Sequence, residues 1–332
     1  MKIIFLVDGN NKLGMGHVYR SINLAKTFSN NNHKIIFITK DKDAKKIILN
    51  SFNCELIIKF PSKKLVNILE SFNPDLTIID KLNETKNKLI FFKKYSPILG
   101  IDYTGKYQNL MDYGINILYP KTGIKTKHSS LNYAILNNNF VKTSKINIQK
   151  KINRVLVIQG GADTHCFIPK IIEACINTKY DFKIEIIIGP SFKCWKKLNS
   201  LLIENKKIVK LNYNITNMAK VMIKSDIVIT AAGNTLLECA NLGIPSIIIS
   251  AEKFEIETAK MLEKLGFGIS LGYGKHISKT KISSNLLNLI NNFDQRKKMN
   301  QKGPNLIDGK GKLRILKLVN QINSPKKILM KF

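Results

Sequence analysis

The chain has 332 residues and a formal net charge of +31, from 54 lysines and arginines against 23 aspartates and glutamates. That length exceeds what one hydrophobic core usually holds, so two domains are expected. Only Arg20, Arg154, Arg296 and Arg314 are arginines, and neither arginine forks nor aromatic platforms cluster, so the charge implies general attraction to polyanions and not a specific nucleic-acid partner.

The first element is the apolar run KIIFLV, residues 2 to 7, which fits a strand of a parallel sheet covered on both faces. Behind it, LGMGHVYRS leads into a helix on which Val18, Ile22, Ala25 and Phe28 share one face. A dinucleotide fingerprint would need a third glycine where Tyr19 stands, so Asp41 is not read as a ribose ligand. The turn instead brings His17 to the start of a helix at the carboxyl end of a strand, where open α/β sheets bind ligands. There the helix dipole disfavours the imidazolium and suits the ring to general-base work. Asp8 and Asn10, on the same junction, are candidates to orient it or to hold a sugar hydroxyl.

Further strands are expected at KIIFIT (34–39), DLTIID (75–80), PILGID (97–102) and INILYP (115–120). Asp80 and Asp102 end two of them. They either face a ligand or cap the element that follows. Residues 119–153 are polar and lysine-rich, and the domain boundary is expected near their end. The alternation then restarts with RVLVIQGGADT (154–164), a helix near 168–178, KIEIIIG (183–189) and KKIVKLNY (206–213). A short helix in NMAKVMIKSD, IVITAAGNT (227–235), a helix to Leu242 and PSIIIS (245–250) complete it. The expected fold is α/β, with two Rossmann-like domains facing a cleft: residues 1–150, residues 151–310, and a closing helix with a basic tail over 311–332.

Glycine pairs in QGGADT and AAGNTLLE would let backbone N–H groups reach an anion at a helix N-terminus, which places a phosphate-bearing ligand in the second half. Asn234 or Thr235 would cap the second of these helices. Glu238, one turn on, shares their face and suits ribose hydroxyls. His165 has the weaker claim of an exposed loop residue. Cys54, Cys166, Cys175, Cys194 and Cys239 show no CxxC spacing and read as free thiols, neither disulfide nor zinc ligands. No apolar run approaches the roughly 18–20 residues of a membrane span, so a cytoplasmic protein is expected.

Taken together, DGNNKLGMGHVYRSINLA, TIIDKLNETK, NYAILNNNF, IQGGADT and NMAKVMIKSDIVITAAGNTLLECANLGIPSIII resemble, over most of the chain, the nucleotide-sugar hydrolases of pseudaminic acid biosynthesis and the wider group of spore coat polysaccharide biosynthesis proteins. The resemblance implies a fold of the glycosyltransferase B type and His17 as the base that activates water against the anomeric carbon. It implies a sugar side formed by Asp8, Asn10, Gly16, Arg20, Asp80, Asp102 and Tyr103. The nucleotide diphosphate would be held by Gly160, Gly161, Asp163, Gly233, Asn234, Thr235 and Glu238, with Met218 and Ala219 reading the uracil. Tyr103 replaces an aspartate frequent in that group, Asn137 replaces an arginine, and EKFEIE (252–257) stands where an asparagine and glutamine pair is common. The implied reaction is hydrolysis of a UDP-linked acetamido or diacetamido sugar without cofactor or metal. A glycosyltransferase and a 2-epimerase are the enzymatic alternatives, and a polyanion-binding module is the alternative of another class.

Overall fold

The computed structural model describes residues 1–9, 14–119, 127–189, 191–213 and 215–322. The chain forms two compact units: residues 1–135 together with the segment from Gly309 onward, and residues 136–308. The boundary expected near 150 thus lies earlier. The polar segment after it bonds back into the second unit, where Ile146 N–H donates to the Leu242 carbonyl and Asn300 Nδ2 to the Ile146 carbonyl. No helix among the described residues is long and apolar enough to cross a membrane.

The first unit alternates β1 (Lys2–Val7), α1 (Gly16–Ser29), β2 (Lys34–Thr39), α2 (Lys42–Ile48), β3 (Cys54–Leu56), α3 (Lys63–Phe72), β4 (Leu76–Asp80), α4 (Lys86–Lys93) and β5 (Ile98–Ile101). Two further strands follow, β6 (Tyr113–Asn116) and β7 (Lys127–Ser129), of which β7 is an edge. All pairs are parallel, in the order β3-β2-β1-β4-β5-β6-β7. β1 lies between β2 and β4, and its residues from Ile3 to Val7 are buried, as a central strand covered on both faces requires. The strand order reverses between β1 and β4. The loops leaving those two strands therefore diverge and leave a crevice at their carboxyl ends.

The terminal helix, Gly311–Ile322, packs on α1 and on the turn at Leu131–Tyr133 of this unit. It is thus an element of the first unit, not a separate closing segment. Gly311 makes that contact possible, since a Cβ there would overlap the Ala134 carbonyl.

The second unit repeats the scheme. It runs through α5 (Asn138–Lys142), β8 (Arg154–Ile158), α6 (Phe167–Ile176), β9 (Lys183–Ile188), α7 (Trp195–Glu204), β10 (Val209–Tyr213), α8 (Met218–Met222), β11 (Ile227–Thr230) and α9 (Asn234–Leu242). It closes with β12 (Ser246–Ser250), α10 (Glu255–Lys264), β13 (Ile269–Tyr273), α11 (Lys279–Asn291) and α12 (Phe293–Leu306). Its six strands are parallel in the order β10-β9-β8-β11-β12-β13, so the reversal falls between β8 and β11. The two glycine junctions of the second half leave those two strands.

Candidate active site

In the first unit the crevice is built from the ends of β1, β4 and β5 and the start of α1. Gly9 lets α1 close on the end of β1, because a Cβ there would come within 2.5 Å of Val18 Cγ2. Gly14, at φ +79°, makes the turn into the helix, whose second residue is His17. His17 Nδ1 lies 2.7 Å from Asp80 Oδ1. Arg20 Nε donates to both oxygens of Asp80, at 3.1 and 2.9 Å, and Ser21 Oγ donates to Oδ2 at 2.8 Å. Arg20 Nη1 also reaches Asp102 Oδ2 at 2.6 Å. Asp102, held at φ +50°, accepts the backbone N–H groups of Ile117 and Leu118 on its other oxygen, at 2.7 and 3.0 Å.

This network is dry. Asp80 and Asp102 have no exposed surface and Arg20 is 3 % exposed, whereas the His17 side chain keeps 24 %. Burial alone would raise the Asp80 carboxyl, but Arg20 and His17 beside it hold it well below the usual carboxylate range. Burial likewise opposes the Arg20 charge, and the two aspartates more than offset it. An ionised Asp80 accepts from an Nδ1–H. The short contact therefore makes Nδ1 the protonated nitrogen of neutral His17 and leaves the Nε2 lone pair as the basic position. The Arg20 Nη2 contact to Nδ1, longer at 3.2 Å, is an approach and not a donated bond.

These positions correct the sugar-side expectation at several residues. Asp80, Asp102 and Arg20 face inward and orient His17. Tyr103, with no exposed surface, belongs to the apolar core around Leu89, Phe92 and Ile98, where its hydroxyl accepts from Glu84 N–H and donates to the Glu84 carbonyl. Asp8 is paired with Lys81 at 2.7 Å, and Lys81 in turn with Glu84 at 2.9 Å. Burial would raise the Asp8 carboxyl, yet Lys81 and Lys40 bring it below its ordinary value. Gly16 is exposed at the first position of α1. Asn10 lies outside the described residues. Lys81 was not singled out from the sequence. A lysine directly after an apolar strand was the available signal, but its inward direction is a tertiary fact.

In the second unit Gly160 (φ +66°) and Gly161 follow β8, with open space where either Cβ would stand. Gly189, at the end of β9, is a residue the sequence reading missed, and a Cβ there would overlap the Gly161 carbonyl. A Gly189→Ala variant should therefore displace the glycine turn and cost about 1–3 kcal/mol, as overpacking does. Denaturant titration checks this.

Asp163, 4 % exposed and at φ +41°, accepts from the N–H groups of Phe167 and Ile168 at 2.8 and 2.9 Å. It thus occupies the N-terminus of α6 itself, which corrects its expected contact with the nucleotide. The other junction differs. The N-cap of α9 is Gly233, not Asn234 or Thr235, with no acid in the first turn. Glu255, whose carboxylate lies beside Gly233, accepts from Ala251 and Glu252 N–H at 2.7 and 3.3 Å in the loop entering α10. Glu238, one turn along α9, is desolvated, and burial pushes its carboxyl up to about 8. His165 bonds Glu252 at 3.0 Å. Met218 and Ala219 open α8, whose cap is Asn217 through Lys220 N–H at 3.2 Å.

The expectation of five free thiols is also corrected. Cys166, the N-cap of α6, and Cys194, the N-cap of α7, form a disulfide with Cα atoms 5.8 Å apart, 28 residues apart in sequence. Cys54, Cys175 and Cys239 are free and buried.

Residues 126–313 match the family described as glycosyltransferase family 28 C-terminal domain. The chain is 30% identical to the uncharacterized protein MJ1062 of Methanocaldococcus jannaschii, over 99% of this chain and 68% of that protein. It is 22% identical to the spore coat polysaccharide biosynthesis protein SpsG of Bacillus subtilis, over 97% and 98%. Identity is 25% to the UDP-2,4-diacetamido-2,4,6-trideoxy-beta-L-altropyranose hydrolase of Campylobacter jejuni, over 82% of this chain and all of that one. Among solved structures, Acinetobacter baumannii MurG superposes with a TM-score of 0.67 at 12% identity, covering 97% of this chain and 100% of MurG. The two parallel α/β units thus form a fold of the glycosyltransferase B type.

Proposed function

Because the chain belongs to the family of the glycosyltransferase family 28 C-terminal domain, we propose that it is a nucleotide-sugar enzyme of polysaccharide biosynthesis, and that it hydrolyses a UDP-linked acetamido or diacetamido sugar at the anomeric carbon. The observation that carries the proposal is the His17–Asp80 pair, a partly exposed imidazole whose tautomer is fixed by a buried, ionised carboxylate. Nε2 takes a proton from water as the oxygen attacks the anomeric carbon. The bond from that carbon to the diphosphate oxygen breaks, and the electron pair leaves with UDP. The imidazolium so formed is stabilised by Asp80, Asp102 and Arg20, which together carry one more negative charge than positive. A nucleoside diphosphate is already a good leaving group, so the acid and base carboxylate pair of ordinary glycosidases is not needed.

The diphosphate is assigned to the Gly160–Gly161 turn and the α9 N-terminus, and the ribose to Glu238. Glu238 gives this assignment a measurable signature. Ribose hydroxyls donate only to acceptors and so favour the ionised carboxylate, which lowers a group now raised to about 8. Binding of UDP near neutral pH should then release about one proton, and none well above the raised value, where Glu238 is already ionised. Calorimetry in buffers of different ionisation enthalpy reads the proton directly, and Glu238→Gln should abolish it.

Glycosyl transfer, with Nε2 taking its proton from an acceptor hydroxyl instead of water, draws support from the family match and from the likeness to MurG. Incubation with a panel of UDP-linked acetamido sugars, without metal or acceptor, separates the two when followed by NMR. Free sugar plus UDP supports hydrolysis. UDP binding without turnover on any member moves the assignment to a transferase.

A further inference from the structure

Past the carboxyl ends of β9 and β10, where Gly189 abuts the Gly161 carbonyl and accepts from Phe192 N–H at 3.2 Å, three aromatic rings meet. Phe192, 5 % exposed, lies beneath Trp195, with ring centroids 5.3 Å apart at 88°. Trp195 in turn stands edge-on to Tyr213 at 6.3 Å and 73°. Trp195 is 37 % and Tyr213 44 % exposed, whereas Phe192 beside them is buried. Trp195 is the first residue of α7, after the loop leaving β9, and Tyr213 is the last residue of β10. Both therefore sit on the carboxyl edge of the sheet, the edge that binds ligands in parallel α/β units. Tyr213 opens the connection to α8, and Trp195 follows the cystine that ties its loop to the loop entering α6. A packed base, a bridge and a helix start thus hold two exposed rings in place at low entropic cost, as a stacking surface requires.

We propose that Trp195 and Tyr213 form a stacking subsite for the nucleobase of the nucleotide sugar. The inference rests on the nucleotide-sugar reading and adds to it a recognition element supplied by side chains, one short connection from the α8 N-terminus at Met218 and Ala219. Stacking on the base face tolerates different bases, so this subsite contributes affinity without selecting among them.

Trp195 is the only tryptophan of the chain, so its emission reports on this subsite alone when excitation is at the red edge, where tyrosine is silent. Titration with UDP, and more weakly with uridine, should quench that emission, while inorganic pyrophosphate should leave it unchanged. Trp195→Ala should weaken UDP binding about tenfold and Tyr213→Ala several-fold, since stacking on one aromatic ring contributes on that scale. Trp195→Phe should retain most of the affinity, and pyrophosphate binding should be the same in all three variants. If calorimetry registers UDP binding while Trp195 emission and the affinity of Trp195→Ala stay unchanged, the stacking subsite is wrong and the nucleotide assignment survives. If UDP gives no calorimetric binding at all, both are overturned.

Discussion

Replacement of His17 by asparagine is expected to reduce sugar release by about 10²–10⁴-fold, the range a positioned general base contributes, with UDP affinity essentially unchanged. The expectation follows from the separation of the two tasks. His17 is bonded to Asp80 in the first unit, whereas the groups assigned to the diphosphate and ribose are all in the second. Loss of UDP binding together with turnover in a folded variant would contradict the assignment, as would turnover that survives. Steady-state kinetics and calorimetry on the same preparation decide between these outcomes.

The second large effect is expected at Asp80. Asparagine there removes the charge that fixes the His17 tautomer and leaves Arg20, 3 % exposed, facing an amide. Turnover should fall nearly as far as in His17→Asn, and the fold should lose about 3–5 kcal/mol, the cost of breaking a buried ion pair by removing one partner. The pH dependence has a definite sign. The folded-state value of Asp80 lies well below that of an unfolded aspartate. Its stabilisation is therefore full above the unfolded carboxylate range and is lost only as pH falls toward the folded value. Asp80→Asn should be less stable than the parent at neutral pH, and the gap should narrow in acid. Thermal melts across that range measure it.

The architecture was legible in the sequence because its central strands are nearly continuous apolar runs. KIIFIT and RVLVI appear as β2 and β8 where expected. INILYP was displaced toward its N-terminus, as β6 at Tyr113–Asn116. The three-residue strands β3 and β7 carry too little pattern to be read. The terminal helix was visible as a helix, but its attachment to the first unit depends on Gly311 meeting the Ala134 carbonyl, a contact between distant residues.

The candidate site divides in the same way. Glycine turns and strand ends flagged the right junctions, since they follow from local chemistry. The direction of a side chain at a strand end does not. At Asp80 and Asp102 the sequence allows either a ligand-facing or a capping role, and at Tyr103 the resemblance implies the sugar side; all three turn inward. Asp163 fills the α6 terminus instead of contacting the nucleotide, while the N-cap of α9 is Gly233 and not the expected Asn234 or Thr235. The cystine between Cys166 and Cys194 had no sequence signal, because its two loops become neighbours only when β8 and β9 pair.

The central claim is that water, activated at His17, attacks the anomeric carbon. Turnover of the UDP-sugar substrate in ¹⁸O-water, with the products analysed by mass spectrometry at early times, tests it most directly. The account predicts label in the released sugar in excess of its non-enzymatic exchange, and none in UDP. Label in the UDP phosphate, or no release of sugar until an acceptor is added, would contradict it.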